Sequence, residues 1–196
     1  MSLQSLAVRD PLAAWAIQRT LAFEGGFADN PRDPGGATNH GVSLRYALQS
    51  IQAEPELVRF FDVDHDGDVD RADIAGLSLS QAVDIYYRLW WQRGPYGELR
   101  PQIIAWKTFD VSVNCGPKRA AILLQKALNA AGRPVAIDAA IGPKTIAAVL
   151  AAHQSDGGGL LIACLRKAQA DFYRSLIARE PKLAAFERGW MRRAAA

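Results

Sequence analysis

A single glutamate, Glu24, stands before a long glycine-rich stretch and has the surroundings that acid catalysis needs. Cleavage of a glycosidic bond requires a carboxylic acid that stays protonated near neutral pH and gives its proton to the leaving oxygen. The apolar periodicity places Glu24 at the end of a helix, where the helix dipole disfavours a carboxylate. Phe23 and Phe27 flank it and favour the protonated form by desolvation. Because Gly25 and Gly26 lack side chains, a sugar ring can approach the backbone closely.

Two further polar residues follow Glu24 at short spacing. Asp33 comes after eight intervening residues, and Thr38 after four more. Asp33 could hold a water molecule or stabilise positive charge at an anomeric carbon, and Thr38 could orient that water. A structural interpretation stays open beside this one, with Glu24 as a solvated helix-end carboxylate, Asp33 as a turn former and Thr38 as a cap.

An acidic segment at residues 62–73, DVDHDGDVDRAD, predicts a calcium loop of EF-hand type. Its acidic residues and glycine fall at the loop positions that calcium coordination uses: Asp62, Asp64 and Asp66 at 1, 3 and 5, Gly67 at 6, Asp68 at 7, Asp70 at 9 and Asp73 at 12. Position 12 is Asp rather than the longer Glu, and the loop is single. These features predict a structural Ca²⁺ clamp rather than a switch; the alternative is a solvated acidic turn.

The elements that must position these residues are helical, because apolar residues recur at helical spacing nearly everywhere. We expect an all-α fold with at most a small β-hairpin at 25–42, where glycines and prolines exclude a helix. Helices are predicted near 11–24, 44–52, 55–61, 78–91, 101–114, 117–131, 143–152, 160–179 and 183–192. Asp10, Ser43 and Ser78 serve as caps.

Composition excludes several classes of protein. The net charge of +3 and the pI near 9.0 are too weakly basic to indicate nucleic-acid binding. The sequence contains no run of about 18 apolar residues, so membrane insertion is not predicted. Cys115 and Cys164 lack metal-ligand spacing and are expected to be free thiols. The N-terminus does not resemble a signal peptide, and a monomer made in a bacterial cytoplasm is expected.

The glycine-rich stretch resembles the signature of glycoside hydrolase family 108, the bacterial and phage N-acetylmuramidases. The resemblance rests on EGGF at 24–27 and on NPRDPGGATNHGV at 30–42. It implies a lysozyme-like helical fold with the catalytic glutamate at Glu24. The order of Glu24, Asp33 and Thr38 is also similar to that of phage-type lysozymes, in which the gap between Asp and Thr is one residue longer.

The C-terminal half resembles the peptidoglycan-binding segment that accompanies this family. The matching segments are FDVSVNCGP at 109–117, LQKAL at 124–128 and IGPKT at 141–145. The resemblance implies a muramidase domain at 1–115 with the calcium loop inserted at 62–73, and a helical peptidoglycan-binding segment at 116–196 packed on it.

The function implied is hydrolysis of the β-1,4 bond between N-acetylmuramic acid and N-acetylglucosamine. A lytic transglycosylase and a non-catalytic wall-binding or calcium-binding module are the alternatives. Phe27, Asn39, His40 and Tyr96 are candidate substrate contacts. Tyr96 is chosen because it lies in a Gly/Pro loop, although core packing is the usual role of such a ring. Action in the periplasm or cell wall would follow holin-dependent or export-dependent release, as an endolysin does.

Overall fold

The structure, a computed structural model, describes residues 1–29 and 36–196. Its α-helices are α1 (Leu3–Arg9), α2 (Pro11–Leu21), α3 (Leu44–Ala53), α4 (Val58–Phe61), α5 (Arg71–Gly76), α6 (Leu79–Ile85), α7 (Gln102–Cys115), α8 (Pro117–Ala130), α9 (Pro143–Asp156), α10 (Gly159–Arg179) and α11 (Glu187–Ala195). Short 3₁₀ helices cover Pro55–Leu57, Pro95–Glu98 and Pro181–Phe186, and a π-helix covers Tyr86–Trp91. The predicted all-α class is confirmed.

Within the described residues, the strands form one hairpin. β1 (Thr38–Asn39) pairs antiparallel with β2 (Val42–Ser43). The two residues between them, His40 and Gly41, have φ of 48° and 78°. Positive φ at both central residues is what a two-residue type I′ turn requires. Ala28 pairs with Thr38 through two N–H···O bonds of 2.8 Å, which ties the chain after Glu24 to the hairpin.

Helix starts follow local chemistry, and one helix end differs from the prediction. The Asp10 carboxylate accepts a bond from Ala13 N at 3.0 Å, and Pro11 occupies the first turn, as predicted. α2 ends at Leu21 rather than at Glu24, because Phe23 N and Glu24 N donate to carbonyls three residues back instead of four. This tight turn takes Glu24 out of the helix. The prediction that Glu24 ends the helix is therefore wrong by three residues.

The chain divides into two compact units, Met1–Leu89 and Trp90–Ala196. The first unit holds α1 to α6 and the hairpin, around a core that includes Leu6, Ile17, Val42, Phe61 and Tyr86. The division falls inside the π-helix, so the predicted helix over 78–91 is α-helical only to Ile85. The predicted functional boundary at residues 115 and 116 is a different division and stays a prediction.

The second unit is built around α7, which is buried continuously from Ile104 to Ser112. α8 packs against α7 and α10, and α11 packs against α10. The Gln125 side chain on α8 holds the connection to α9, because it donates to Asp138 and Ala140 and accepts from Asp138 N and Ala139 N. In the part of the chain that the structure describes, no helix has the length and hydropathy needed to cross a bilayer.

Candidate active site and acidic loop

Glu24 lies three residues beyond α2, half-buried, and its carboxyl group packs against the turn of the hairpin. A methyl group built on Gly41 would lie 2.8 Å from Glu24 Cγ, 2.9 Å from Glu24 Cδ and 2.3 Å from the Tyr86 hydroxyl oxygen. Only glycine fits between these two groups, and its φ of 78° also favours glycine. Glu24, Gly41 and Tyr86 therefore meet at one point in the first unit.

The backbone beside Glu24 is open to a ligand. A Cβ atom built on Gly25 or on Gly26 would meet nothing within 4 Å. Phe27, two residues further on, is 43% exposed. A half-buried acid followed by bare, accessible backbone and an exposed ring suits an extended sugar polymer.

The hairpin is held in place from two sides. Tyr86, fully buried, donates its hydroxyl proton to His40 O at 3.2 Å. The Asn39 amide donates to Ala75 O at 3.3 Å and to Leu77 O at 3.2 Å. Since Asn39 is 5% exposed and its amide is used in these bonds, its predicted substrate contact is corrected to a structural role.

Of the remaining predicted site residues in this region, the structure describes Thr38 and His40 but not Asp33. Thr38 is half-buried in β1, where its hydroxyl donates to Gly36 O at 3.4 Å. His40 is half-buried at the turn. Asp33 lies outside the described residues, so its proposed role with water stays a prediction.

The acidic loop gathers carboxylate oxygens into two groups. One comprises Asp62, Asp64 and Asp66, and the other Asp68, Asp70 and Asp73; within each, the ligand atoms lie within 4.8 Å of one another. The negative charge of Asp66, followed by desolvation, raises the pKa of Asp68. Desolvation, followed by the charges of Asp66, Asp73 and Asp62, raises the pKa of Asp64. Close carboxylates of this kind disfavour one another's ionisation without a cation.

Two residues of the loop show how it could hold a cation. Asp62 Oδ1 is buried and has no hydrogen-bond partner among the described residues. Asp73, 1% exposed, accepts from Val63 N at 2.6 Å and from Asp70 N at 2.8 Å, and so closes the loop on itself. Calcium prefers six to eight hard oxygen ligands, and this loop gathers many carboxylate oxygens. The lone pairs that do not accept from backbone N–H groups are available to the ion.

The acidic loop also contacts the neighbourhood of Glu24. The Arg71 guanidinium forms an ion pair with Asp29 and lies 5.4 Å from the centre of the Phe27 ring. α5 begins at Arg71, and the Ala75 and Leu77 carbonyls at its other end accept from the Asn39 amide. The segment after the loop therefore supports both the chain that follows Glu24 and the hairpin.

Tyr96 does not lie at a surface. Its ring is 3% exposed and packs between Trp91, with ring centres 5.7 Å apart, and Phe109, at 5.3 Å. Its hydroxyl donates to Ser112 Oγ at 2.6 Å. Burial in this aromatic cluster corrects the prediction that Tyr96 binds sugar: the Gly/Pro loop around it folds as a 3₁₀ helix that turns the ring inward.

The second unit contains a buried ion pair that the sequence did not reveal. Asp110, fully buried, accepts two bonds from Arg193 Nε and one of 2.8 Å from Arg193 Nη2. Lys107 donates to Arg193 O. Burial lowers the pKa of Lys107 to about 8, although the negative charge of Asp110 acts in the opposite direction. This cluster joins α7 to α11 and has no accessible reacting group.

A basic groove of about 490 Å³ lies between α8 and α10 of the second unit. Four cationic side chains line it: Arg119, Lys126, Lys167 and Arg179. Asp171 is the acidic lining residue and pairs with Lys167 at 2.6 Å. The Arg119 guanidinium lies 4.5 Å from the centre of the Phe172 ring. Cations over an apolar floor suit a ligand that carries carboxylates.

The fold is all-α and lysozyme-like, and its first unit holds a half-buried glutamate beside a hairpin. Residues 17–116 match the family model described as Glycosyl hydrolase 108, and residues 119–195 match one described as Predicted Peptidoglycan domain. The chain belongs to glycosyl hydrolase family 108 and is a glycoside hydrolase; the two matches together define a peptidoglycan hydrolase. The resemblance noted in the sequence is confirmed.

A solved structure is similar over nearly the whole chain. It is described as the structure of Brucella abortus SagA, with a TM-score of 0.69 and 28% sequence identity. The match covers 93% of this chain and 89% of that one. No curated protein matches the sequence.

Sequence reasoning missed Gly41, Tyr86 and Arg71 as parts of this region. Gly41 stood inside the family signature, but its contact with Glu24 depends on a turn that the signature does not describe. Tyr86 is 46 residues from His40, and helical periodicity predicts only that it is buried.

Proposed function

We propose that this enzyme hydrolyses the β-1,4 bond between N-acetylmuramic acid and N-acetylglucosamine, with Glu24 as the general acid. The observation that carries the proposal is the packing of the Glu24 carboxyl against Gly41 at the hairpin turn, next to open backbone at Gly25 and Gly26. This packing fixes the acid in one place while a glycan strand can still reach it. Glu24 protonates the glycosidic oxygen, and water attacks the anomeric carbon.

The role of a second carboxylate is proposed for Asp33, with Thr38 orienting the attacking water. Thr38 supports this role by its position, because its backbone pairs with Ala28, four residues after Glu24. An inverting enzyme needs room for a water molecule between its carboxylates, whereas a retaining enzyme brings them closer together.

Product analysis separates hydrolysis from the transglycosylase alternative. Digestion of purified sacculi should give fragments with a free reducing end on N-acetylmuramic acid. An anhydro product, lighter by one water molecule, would mean that the sugar's own hydroxyl replaces water as nucleophile. A reducing end on N-acetylglucosamine would contradict the proposed bond. Mass spectrometry after borohydride reduction distinguishes all three outcomes.

Calcium binding at 62–73 is proposed as structural support for the site. Asp62, Asp64, Asp66 and Asp73 would be ligands, with Asp68 contributing its backbone carbonyl and Asp70 acting through water. The unpartnered Asp62 oxygen and the clustered carboxylates support this assignment. Through Arg71 and α5, an ordered loop would keep Asp29 and Asn39 in place, so calcium would act on activity without taking part in the reaction.

Saturating calcium is expected to raise the melting temperature by about 5–10 °C over excess chelator, because an ion at 100 times its Kd adds about 2.7 kcal/mol. The same protein should cleave sacculi more slowly after chelation. Differential scanning calorimetry and a turbidity assay measure the two effects.

The paired substitution Asp64→Asn and Asp66→Asn should abolish the calcium-dependent shift, since both changes remove ligand charge. Asp171→Asn, which removes an exposed acid of the second unit, is the matched control and should keep the full shift. Identical melting curves of the parent in calcium and in chelator would contradict the assignment.

The basic groove of the second unit is proposed to hold the carboxylates of peptidoglycan stem peptides. Its four cations against one acid support a ligand of negative charge. The double substitution Lys126→Glu with Arg179→Glu should weaken binding to sacculi roughly tenfold at low salt, with less effect at high salt. Pull-down of the protein with sacculi measures this.

A matched control reverses two charges outside the groove, Lys118→Glu with Arg188→Glu, and changes the net charge equally. Equal loss of binding in both double variants would attribute the effect to overall charge and overturn the assignment of the groove.

A further inference from the structure

The Tyr86 hydroxyl lies at the turn against which Glu24 packs. A methyl group built on Gly41 would lie 2.3 Å from the Tyr86 hydroxyl oxygen and 2.9 Å from Glu24 Cδ. The tyrosine hydroxyl and the glutamate carboxyl group therefore both flank Gly41. Tyr86 is fully buried, which fixes its ring. A polar oxygen placed rigidly beside a candidate acid can influence how that acid holds its proton.

The proton of the Tyr86 hydroxyl is committed elsewhere. It is donated to His40 O at 3.2 Å. A tyrosine hydroxyl has one proton to donate, so its oxygen faces other neighbours only as an acceptor. A neighbouring carboxyl group can donate to such an oxygen when it is protonated and cannot when it is ionised.

We infer that Tyr86 is a positioning residue that accepts a hydrogen bond from the protonated carboxyl of Glu24 and so holds the proton on the acid until it is transferred. This inference rests on the proposed function. A hydrogen bond made only by the neutral form favours that form. The bond to His40 O sets the direction of the hydroxyl, and the glycine at position 41 allows the two groups to approach.

The backbone at Tyr86 supports this role independently. α6 ends at Ile85, and Tyr86 begins the π-helix that runs to Trp91. A π-helical turn is wider than an α-helical one, costs stability and occurs frequently at functional sites. Here the change of helix type coincides with the residue that contacts the hairpin.

Other ionisable groups near these elements must be separated from the effect. They include His40 at the turn, Asp29 paired with Arg71, Asp84 paired with Arg88 and with the N-terminal amine, Arg45 on α3, and Arg19, whose guanidinium lies 4.9 Å from the centre of the Trp15 ring. Of these, His40 carries an imidazole, the side-chain type that most often acts as a pH switch in proteins. The test is therefore made both in the parent and in a His40→Asn background, since Asn also tolerates positive φ.

Tyr86→Phe should move the alkaline limb of the kcat profile about one pH unit lower. Activity should fall about tenfold above the limb and stay within about threefold of the parent at low pH, where Glu24 is protonated in both. The shift should be the same in the His40→Asn background. Tyr87→Phe, an adjacent buried tyrosine, is the matched control and should leave the profile in place.

A merely structural role would lower kcat evenly at every pH, and that result, or an unmoved profile, would overturn the inference. Replacing Tyr86 with 3-fluorotyrosine is the second variant, because fluorine weakens the oxygen as an acceptor while keeping its donation to His40. It should move the limb in the same direction by less, and no movement would overturn the inference. An inactive parent, or full activity of Glu24→Gln, would instead refute the proposed function.

Discussion

Glu24→Gln is expected to lower the rate of sacculus cleavage by about a hundredfold to ten-thousandfold, which is the usual contribution of a general acid. Glutamine keeps the size of the side chain and its packing against Gly41, but it has no proton to give to the glycosidic oxygen. The variant should therefore fold normally and still bind sacculi. Turbidity loss measures the rate, and the melting temperature measures the fold.

A matched control for Glu24→Gln is Glu98→Gln, which changes an exposed glutamate in the loop that contains Tyr96. It should retain the parent's rate. If Glu24→Gln clears sacculi as fast as the parent while remaining folded, Glu24 has only a packing role, and the non-catalytic alternative gains support.

Asp110→Ala is expected to destabilise the second unit by about 3–5 kcal/mol, because it leaves the Arg193 guanidinium buried without its counter-charge. Asp110 is fully buried, and its carboxylate accepts three hydrogen bonds from Arg193. The nearby Lys107 ammonium adds to the uncompensated charge. Urea unfolding followed by tryptophan fluorescence measures the loss, since Trp106 and Trp190 lie in this unit.

Asp171→Ala is the matched control for the ion pair. Its carboxylate also pairs with two cations, Lys167 and Arg174, but it is 49% exposed. Exposed pairs contribute at most about 1 kcal/mol, so this variant should stay close to the parent. A loss below about 1 kcal/mol for Asp110→Ala would contradict the view that this pair anchors α11.

The helices could largely be predicted from the sequence, because their signals are local. Asp10 with Pro11, Ser78 with Gln81, and Pro117 begin helices where capping chemistry predicts. The short α1 was missed, since seven residues provide too little periodicity to recognise. The end of α2 was misplaced because three-residue hydrogen bonding at a helix end depends on what the next segment packs against.

The site could be predicted only in part, because its parts meet through tertiary contacts. Glu24 was identified from its motif, whereas the contact of Gly41 with Tyr86 depends on how the hairpin packs on the π-helix. Asn39 lay in the same motif, yet its amide donates to two carbonyls at the C-terminal end of α5, those of Ala75 and Leu77. Motif membership therefore did not separate residues that support the site from residues that face substrate.

Tyr96 and Asp110 illustrate the same limit in the second unit. A tyrosine between glycine and proline predicts exposure, but Trp91 and Phe109 provide an aromatic pocket for its ring. Asp110 and Arg193 are 83 residues apart, and no local pattern marks them as partners. Burial of a polar group becomes predictable only when its distant partner is known.

The proton-donor role of Glu24 is tested most directly with a synthetic N-acetylmuramic acid glycoside whose leaving group is dinitrophenolate. This group departs as a stable anion and needs no protonation, whereas the sugar oxygen of peptidoglycan does. Single-turnover rates of the parent and of Glu24→Gln are compared on both substrates. We predict that the variant keeps a rate near the parent's on the activated glycoside while losing about a hundredfold or more on peptidoglycan. An equal loss on both substrates, or no loss on either, would contradict the account.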